Sequence, residues 1–145
     1  ILGDLWDETR SAEIAAEAAQ LEASRNPDDA FAWHNLGTSL VELRRYEEAV
    51  IAFDRSSTIA TLPWRMLWYQ FNLFEAYFEV GRYEELISLA NSILNATPEL
   101  EESYYWRALA HIELGNISDA SSDLRTAIRY NPNFEAARLA LDNIQ

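Results

Sequence analysis

Cysteine and lysine are both absent from this sequence of 145 residues. Without cysteine there are no disulfides, no thiolate metal sites and no thiol nucleophile; the compartment stays open. Histidine occurs twice, with no nucleophile or ligand partner at a readable spacing, and no glycine-rich phosphate loop is present. No apolar run approaches the roughly 20 residues of a membrane span. Positive charge is scarce: the 11 basic residues are all arginine, against 24 acidic ones, for a formal net charge of -13. Such a surface repels phosphate backbones, so nucleic acid is not an expected partner. It suits basic partners, or it serves only to keep the chain soluble. What is abundant is apolar matter: 49% of residues are hydrophobic and 12% aromatic, which excludes a disordered chain. The length suffices for one domain with a proper core.

The informative stretch runs from Trp33 to Phe53. Trp33, Leu36, Gly37 and Leu40 recur at i, i+3, i+4 and i+7 and share one helix face. Ala49 and Phe53 lie four apart on a second helix, after a break at Arg44-Arg45. Gly37 and Ala49 leave room for two backbones to approach, while Trp33, Leu40 and Phe53 fill the space beside them. The pattern recurs. Stepping back 34 residues places Leu2-Gly3, Trp6, Ala15 and Ala19 on these positions. Forward, after a shift of three, Tyr77, Gly81, Tyr83 and Pro98 fit; another step of 34 gives His111, Gly115, Ile117 and Pro132, with Ala120 and Leu124 on the second helix. Phe74 and Ala108 stand in place of Gly37, Leu86 in place of Ala49, and Tyr104 in place of Trp33.

These residues resemble the tetratricopeptide repeat, a helix-turn-helix unit of about 34 residues. The resemblance covers essentially the whole chain and implies an all-α fold of stacked helix pairs in a right-handed superhelix. One domain over residues 1–145 is expected: a truncated repeat at 1–29, repeats at 30–63, 64–100 (with a three-residue insertion) and 101–134, and a covering helix at 135–145. The expected helices run at about 1–9, 11–24, 29–43, 46–60, 63–80, to 96, 100–114, 117–130 and 134–144. Asn26-Pro27-Asp28-Asp29, Thr97-Pro98 and Asn131-Pro132-Asn133 break the chain, with carboxylates at Asp28-Asp29 capping the next helix and Asn133 capping the last. Pro63 suits a first helical position. The opening reads as a helix cut short, with Leu2, Leu5 and Trp6 free for self-association, whereas the polar last helix suits the end of an array.

In tetratricopeptide arrays the first helices line a concave surface. The stripe opposite the core face is Phe31, His34, Thr38, Val41 and Glu42, then Trp68, Phe71, Glu75, Phe78 and Glu79, then Glu102, Tyr105, Leu109, Ile112 and Glu113. So many aromatics on a wet surface mark a binding site. Asn35, Asn72 and Trp106 share one equivalent place beside the stripe. In some tetratricopeptide superhelices an asparagine there contacts the ligand main chain, which an amide can do as donor and acceptor; here Asn35 and Asn72 either do this or cap neighbouring helix groups. The expected ligand is a protein or peptide, apolar and carrying basic side chains that reach Glu75 or Glu79. The lysine-arginine-asparagine clamp of chaperone-binding tetratricopeptide domains is not matched, since Phe31, His34, Thr38, Trp68 and Glu102 occupy those places.

No catalytic residue, metal ligand or cofactor is assigned. Glu75 and Glu79 lie one turn apart and carboxylate pairs do serve as acid and base, but glutamates on solvated helix faces are ordinary. His111 reads as core or interface. Asn95-Ala96-Thr97 and Asn116-Ile117-Ser118 match the glycosylation triplet, which arises often by chance. Residues 62–71, with Phe74-Glu75-Ala76-Tyr77, and the opening 2–10 are also similar to the tetratricopeptide tails of bacterial papain-like cysteine peptidases of the bacteriocin-processing type. That likeness implies a peptidase domain upstream and carries no catalytic residue onto this chain. Trp64 and Trp68 fall on the inserted turn, Trp64 as gap filler or rim residue and Trp68 as a ligand contact.

Overall fold

The computed structural model describes residues 2–61 and 71–145, with side chains from Asp7 onward. Among these residues there are helices and no strands: α1 (Leu2–Arg25), α2 (Ala30–Glu42), α3 (Tyr46–Ile59), α4 (Asn72–Glu79), α5 (Tyr83–Ala96), α6 (Glu101–Glu113), α7 (Ile117–Tyr130) and α8 (Glu135–Ile144). They form two compact units, Ile1–Val80 and Gly81–Gln145.

The turns inside the repeats are set by one left-handed residue. After α2 the Arg44 N–H donates to the Val41 carbonyl (2.8 Å) and the Arg45 N–H to Leu40 (2.9 Å). After α6 Gly115 donates to Ile112 (3.0 Å) and Asn116 to His111 (2.8 Å). This paired closure satisfies the last carbonyls of a helix and needs positive φ at its first residue. Gly115 (φ 82°) and Gly81 (φ 81°) adopt it freely, whereas Arg44 (φ 58°) does so with a Cβ in the way.

The turns between repeats are alike as well. The carbonyls of Asn26, Thr97 and Asn131 accept from the N–H groups of Asp29 (3.0 Å), Leu100 (3.3 Å) and Phe134 (3.0 Å). A proline follows the accepting residue each time. The aromatic residue that opens the core face then reaches back to that proline: Trp33 Nε1 donates to the Pro27 carbonyl (3.0 Å) and the Tyr104 hydroxyl to the Pro98 carbonyl (2.7 Å). Asp29 caps α2 as expected, its carboxylate accepting from the Phe31 N–H at 2.9 Å. Asn133 does not cap α8, which starts at Glu135 with no side-chain cap. The polar work is done two residues earlier, where Asn131 Oδ1 accepts from the Asn133 N–H (3.2 Å) in a local turn.

Two further expectations meet the structure differently. The break at residues 9–11 is absent: α1 is one helix of 24 residues. The repeat register asks for a turn there, but Glu8 to Ala12 holds neither glycine nor proline, and residues 12–19 are rich in alanine, the best helix former. Local propensity wins where nothing breaks it. The helix expected over 63–80 is described only as α4, and Pro63, Trp64 and Trp68 lie outside the described residues.

The core faces follow the sequence pattern. In the first unit Leu36, Leu40, Ala49, Val50, Phe53, Leu73, Phe74, Ala76 and Tyr77 are buried, and in the second Leu86, Ala90, Ile93, Leu94, Ala108, Ala120, Leu124 and Ala127. Gly37 is the closest approach. A Cβ built there falls 2.5 Å from Cε1 of Phe53, so the ring occupies the volume that any larger residue would need. α8 buries Ala137 and lays Ala140, Leu141 and Ile144 against the cluster of Ala108, Ala120, Leu124 and Ala127.

Candidate ligand-binding surface

The stripe residues of the first unit sit on α2 and α4, which touch each other and both touch α3. Phe31 is 46% exposed at the start of α2. Asn35 and Glu42 are exposed and Thr38 half-buried. On α4 and its flank Phe71, Asn72, Glu75 and Phe78 are half-buried and Glu79 is exposed. Phe71 stacks on Phe74 with centroids 6.1 Å apart. Glu75 accepts a hydrogen bond from the Tyr46 hydroxyl (3.3 Å). Burial raises the Tyr46 pKa, and the carboxylates of Glu75 and Glu79 raise it further.

His34 is not a groove residue. It is 2% exposed and its ring packs against Phe53, 5.1 Å between centroids. Val41, on the same expected stripe, is buried too. Both corrections have one cause: α2 is covered by α1, α3 and α4, so its solvent-facing strip is narrower than that of a helix packed on one side. Phe31, Asn35, Thr38 and Glu42 keep that strip.

In the second unit the stripe gathers around α6. Tyr105 stacks on Trp106 (centroids 5.7 Å) and meets Phe134 edge-on (5.0 Å, 89°). Tyr105, Trp106, Leu109, Ile112 and Glu102 are half-buried and Glu113 is exposed. The Glu102 carboxyl is pushed up by burial and by neighbouring Glu101, partly offset by a hydrogen bond from the Trp106 side chain. Burial followed by the Glu102 charge raises the Tyr105 phenol. Phe134 is the member of this group that the sequence reading missed; it sits three residues after Asn131, the place a turn would bring back against α6.

Beside this cluster lies a polar contact that pattern reading also missed. Arg107 Nε donates to Asp123 Oδ2 (2.8 Å), Nη2 to Asp123 Oδ1 (2.7 Å) and Nη1 to Asn91 Oδ1 (2.9 Å). The guanidinium also lies 5.5 Å from the Tyr104 ring centroid. Its pKa is raised, first by the hydrogen bond to Asp123. Each of its three nitrogens donates to a protein acceptor, which marks the group as structural. His111, half-buried, lies at the edge of this hollow with Ile87, Asp119 and Ser122, and the Asn116 amide is 3.5 Å from its Nδ1.

Among the described residues no three histidine or acidic side chains stand together as a metal site, and no helix is long and apolar enough to cross a membrane. The side chains of Leu2, Leu5 and Trp6, through which self-association was expected, lie outside the described ones.

Residues 32–60 and 101–134 match the model of the tetratricopeptide repeat. The fold is that of tetratricopeptide proteins. Aryl-hydrocarbon-interacting protein-like 1 of Pan paniscus is 28% identical over 119 residues, covering 72% of this chain and 31% of that protein. Heat shock protein STI1 of Saccharomyces cerevisiae is 21% identical over 108 residues, covering 74% of this chain and 18% of that one. The chain thus spans under a third of the length of either relative. Among solved structures it resembles MamA 41-end from Desulfovibrio magneticus RS-1, with a TM-score of 0.81 and 19% identity over 92% of this chain and 74% of that one. It also resembles a second MamA crystal structure, with a TM-score of 0.80 and 16% identity over 99% of this chain and 82% of the other. At such identities the likeness speaks for the all-α tetratricopeptide fold and for nothing finer.

Proposed function

We propose that this chain is a non-catalytic module that binds an apolar, basic peptide or protein segment on the stripe faces of its first helices. The observation that carries the reading is Phe31: a large aromatic nearly half exposed, beside exposed Asn35, on the narrow strip of α2 that its neighbours leave open. In the first unit Phe71 and Phe78 carry the same chemistry and Glu79 offers a solvated carboxylate to a lysine or arginine; in the second unit, taken by itself, Tyr105 and Trp106 carry it. Asn35 and Asn72 suit the main chain of an extended ligand. Trp68 belongs to the same stripe by register.

The test uses fluorescently labelled peptides with alternating apolar and arginine residues, and counterparts with glutamate for arginine. The basic set should bind and the acidic set should not. Phe31→Ala and Trp68→Ala should each weaken binding by about 2 kcal/mol or more, the scale of an interface aromatic, with helicity unchanged. Equal binding of both sets, or full affinity in both variants, sinks the proposal. A hydrolase activity lost in Glu75→Gln would overturn its non-catalytic part.

The second reading is a docking tail for an upstream cysteine peptidase, supported by the likeness at residues 2–10, 62–71 and 74–77. It calls for binding of such a peptidase domain supplied in trans, lost in Trp68→Ala, with no binding of free peptides.

A further inference from the structure

Two positions on the side of α1 that faces away from α2 differ from their counterparts on the other second helices. Ala12, Ala16, Ala19 and Ala23 recur at helical spacing; Ala16 and Ala23 are buried and the other two half-buried. This is the seam with α2, the helix that α1 touches. At 3.6 residues per turn, Ile14, Ala18 and Leu21 fall on the opposite side. Ile14 is 54% exposed and Leu21 55%. In the repeat register Ile14 stands where α3, α5 and α7 carry Glu48, Glu85 and Asp119, and Leu21 where they carry Arg55, Ser92 and Thr126. Those helices carry a charged or hydroxyl side chain at both places. α1 shows two branched aliphatic side chains two turns apart, with a small residue between them.

The borders of this stripe are charged. Glu13 and Glu17 run along one edge and Glu22 along the other, while Arg10 and Arg25 close the ends. We propose that this face of α1 docks an amphipathic helix of a partner protein, one carrying two large apolar side chains about two turns apart and basic residues on its flanks. Two leucine-sized knobs then meet Ile14 and Leu21, Ala18 gives the backbones room, and the flanking cations meet Glu13, Glu17 and Glu22. Charge complementarity selects this occupant over a second copy of the chain. Laying Ile14 on Leu21 of a second copy in the antiparallel sense sets Glu13 against Glu22 and Arg10 against Arg25. Laying Ile14 on Ile14 in the parallel sense sets Glu17 against Glu17. Either way two chains of net charge -13 are brought together. This surface lies on a second helix and is separate from the first-helix stripe proposed above.

The experiment uses the whole chain and a labelled synthetic helical peptide with leucines seven apart and lysine flanks, alongside the same peptide with glutamate flanks. Fluorescence polarisation should show saturable binding of the lysine peptide, at least tenfold weaker binding of the glutamate peptide, and loss of affinity as salt rises. The double variant Ile14→Ser/Leu21→Ser should lose at least tenfold with unchanged circular dichroism, because both side chains are exposed. Equal affinity for the two peptides overturns the proposal, as does a double variant that binds normally or a loss confined to Phe31→Ala. So does either alternative occupant: a dimer in sedimentation that the double variant dissolves, or binding to phosphatidylcholine vesicles that it abolishes.

Discussion

The pair α2–α3 and the pair α6–α7 hold the same place in the repeat and are closed by different chemistry. In the first, a glycine lets an aromatic ring through: Gly37 lies under Phe53, with Leu36 and Ala52 beside the contact, all buried. In the second, Ala108 faces Leu124, and the positions of Leu36 and Ala52 are taken by Arg107 and Asp123. At these positions the first seam is apolar and depends on shape, with a buried hydrogen bond from the Ser56 hydroxyl to the Ala30 carbonyl (2.7 Å) nearby. The other trades shape for a bidentate ion pair, with side chains 21% and 9% exposed. The two pairs share a fully buried alanine, Ala49 in one and Ala120 in the other, and the aromatic-to-proline bonds of Trp33 and Tyr104. Small residues and turns are thus common to both pairs, while the material between the helices differs.

The comparison is broken most sharply at the ion pair. Asp123→Ala leaves a largely buried guanidinium with one amide partner, and we expect a loss of about 3 kcal/mol in urea unfolding, the scale for stranding one half of a buried pair. The double variant Arg107→Leu/Asp123→Ala copies the α2–α3 seam and should come back to within about 1 kcal/mol of the native chain, since apolar replacement of a buried pair is often neutral. A double variant as unstable as the single one would mean the two seams are not interchangeable.

Next in size is the converse change. Gly37→Ala puts a methyl into the Phe53 ring and should cost about 1–3 kcal/mol, as should Ala49→Leu or Ala120→Leu at the matching crossings. Thermal melts within error of the native chain for all three would show that the helix crossings are soft.

The smallest effect lies at the turns. Arg44 holds a left-handed backbone that Gly81 and Gly115 hold without strain. Arg44→Gly should raise stability by about 0.5–1 kcal/mol, the strain relieved less the flexibility gained by the unfolded chain. A lower melting temperature would mean that the Arg44 side chain contributes more than its backbone costs.

Much of this was readable beforehand, and the reasons differ by residue. Gly37, Ala49, Phe53 and Ala120 were legible because a tight helix crossing admits so few residue types. Asp29 was legible because a carboxylate ahead of an apolar period has one common use. The continuity of α1 was not legible from the register, which carries positions from one repeat to the next but says nothing about whether a breaker is present; the composition of residues 8–12 held that answer. His34 was misplaced because helical spacing alone ties it to Phe31, and only the three-sided cover on α2 decides that it turns to Phe53. Arg107–Asp123 left a signal that went unread: a cation and an anion at two core positions of adjacent helices in a single repeat. The candidate surface was legible as a stripe of residue types. Its exposed members had to be found from packing, and the tryptophans of the insertion lie outside the described residues.

The bonds from Trp33 to Pro27 and from Tyr104 to Pro98 also bear on how the chain folds. Each spans six residues, so an aromatic ring fastens the turn it has just left before any distant segment need arrive. Closing so short a loop costs little chain entropy and takes on the order of tens of nanoseconds. A repeat can therefore set the direction of its first helix from its own sequence, and the search left to each unit is the docking of preformed hairpins. Low contact order of this kind goes with fast folding and allows the process to begin at more than one repeat.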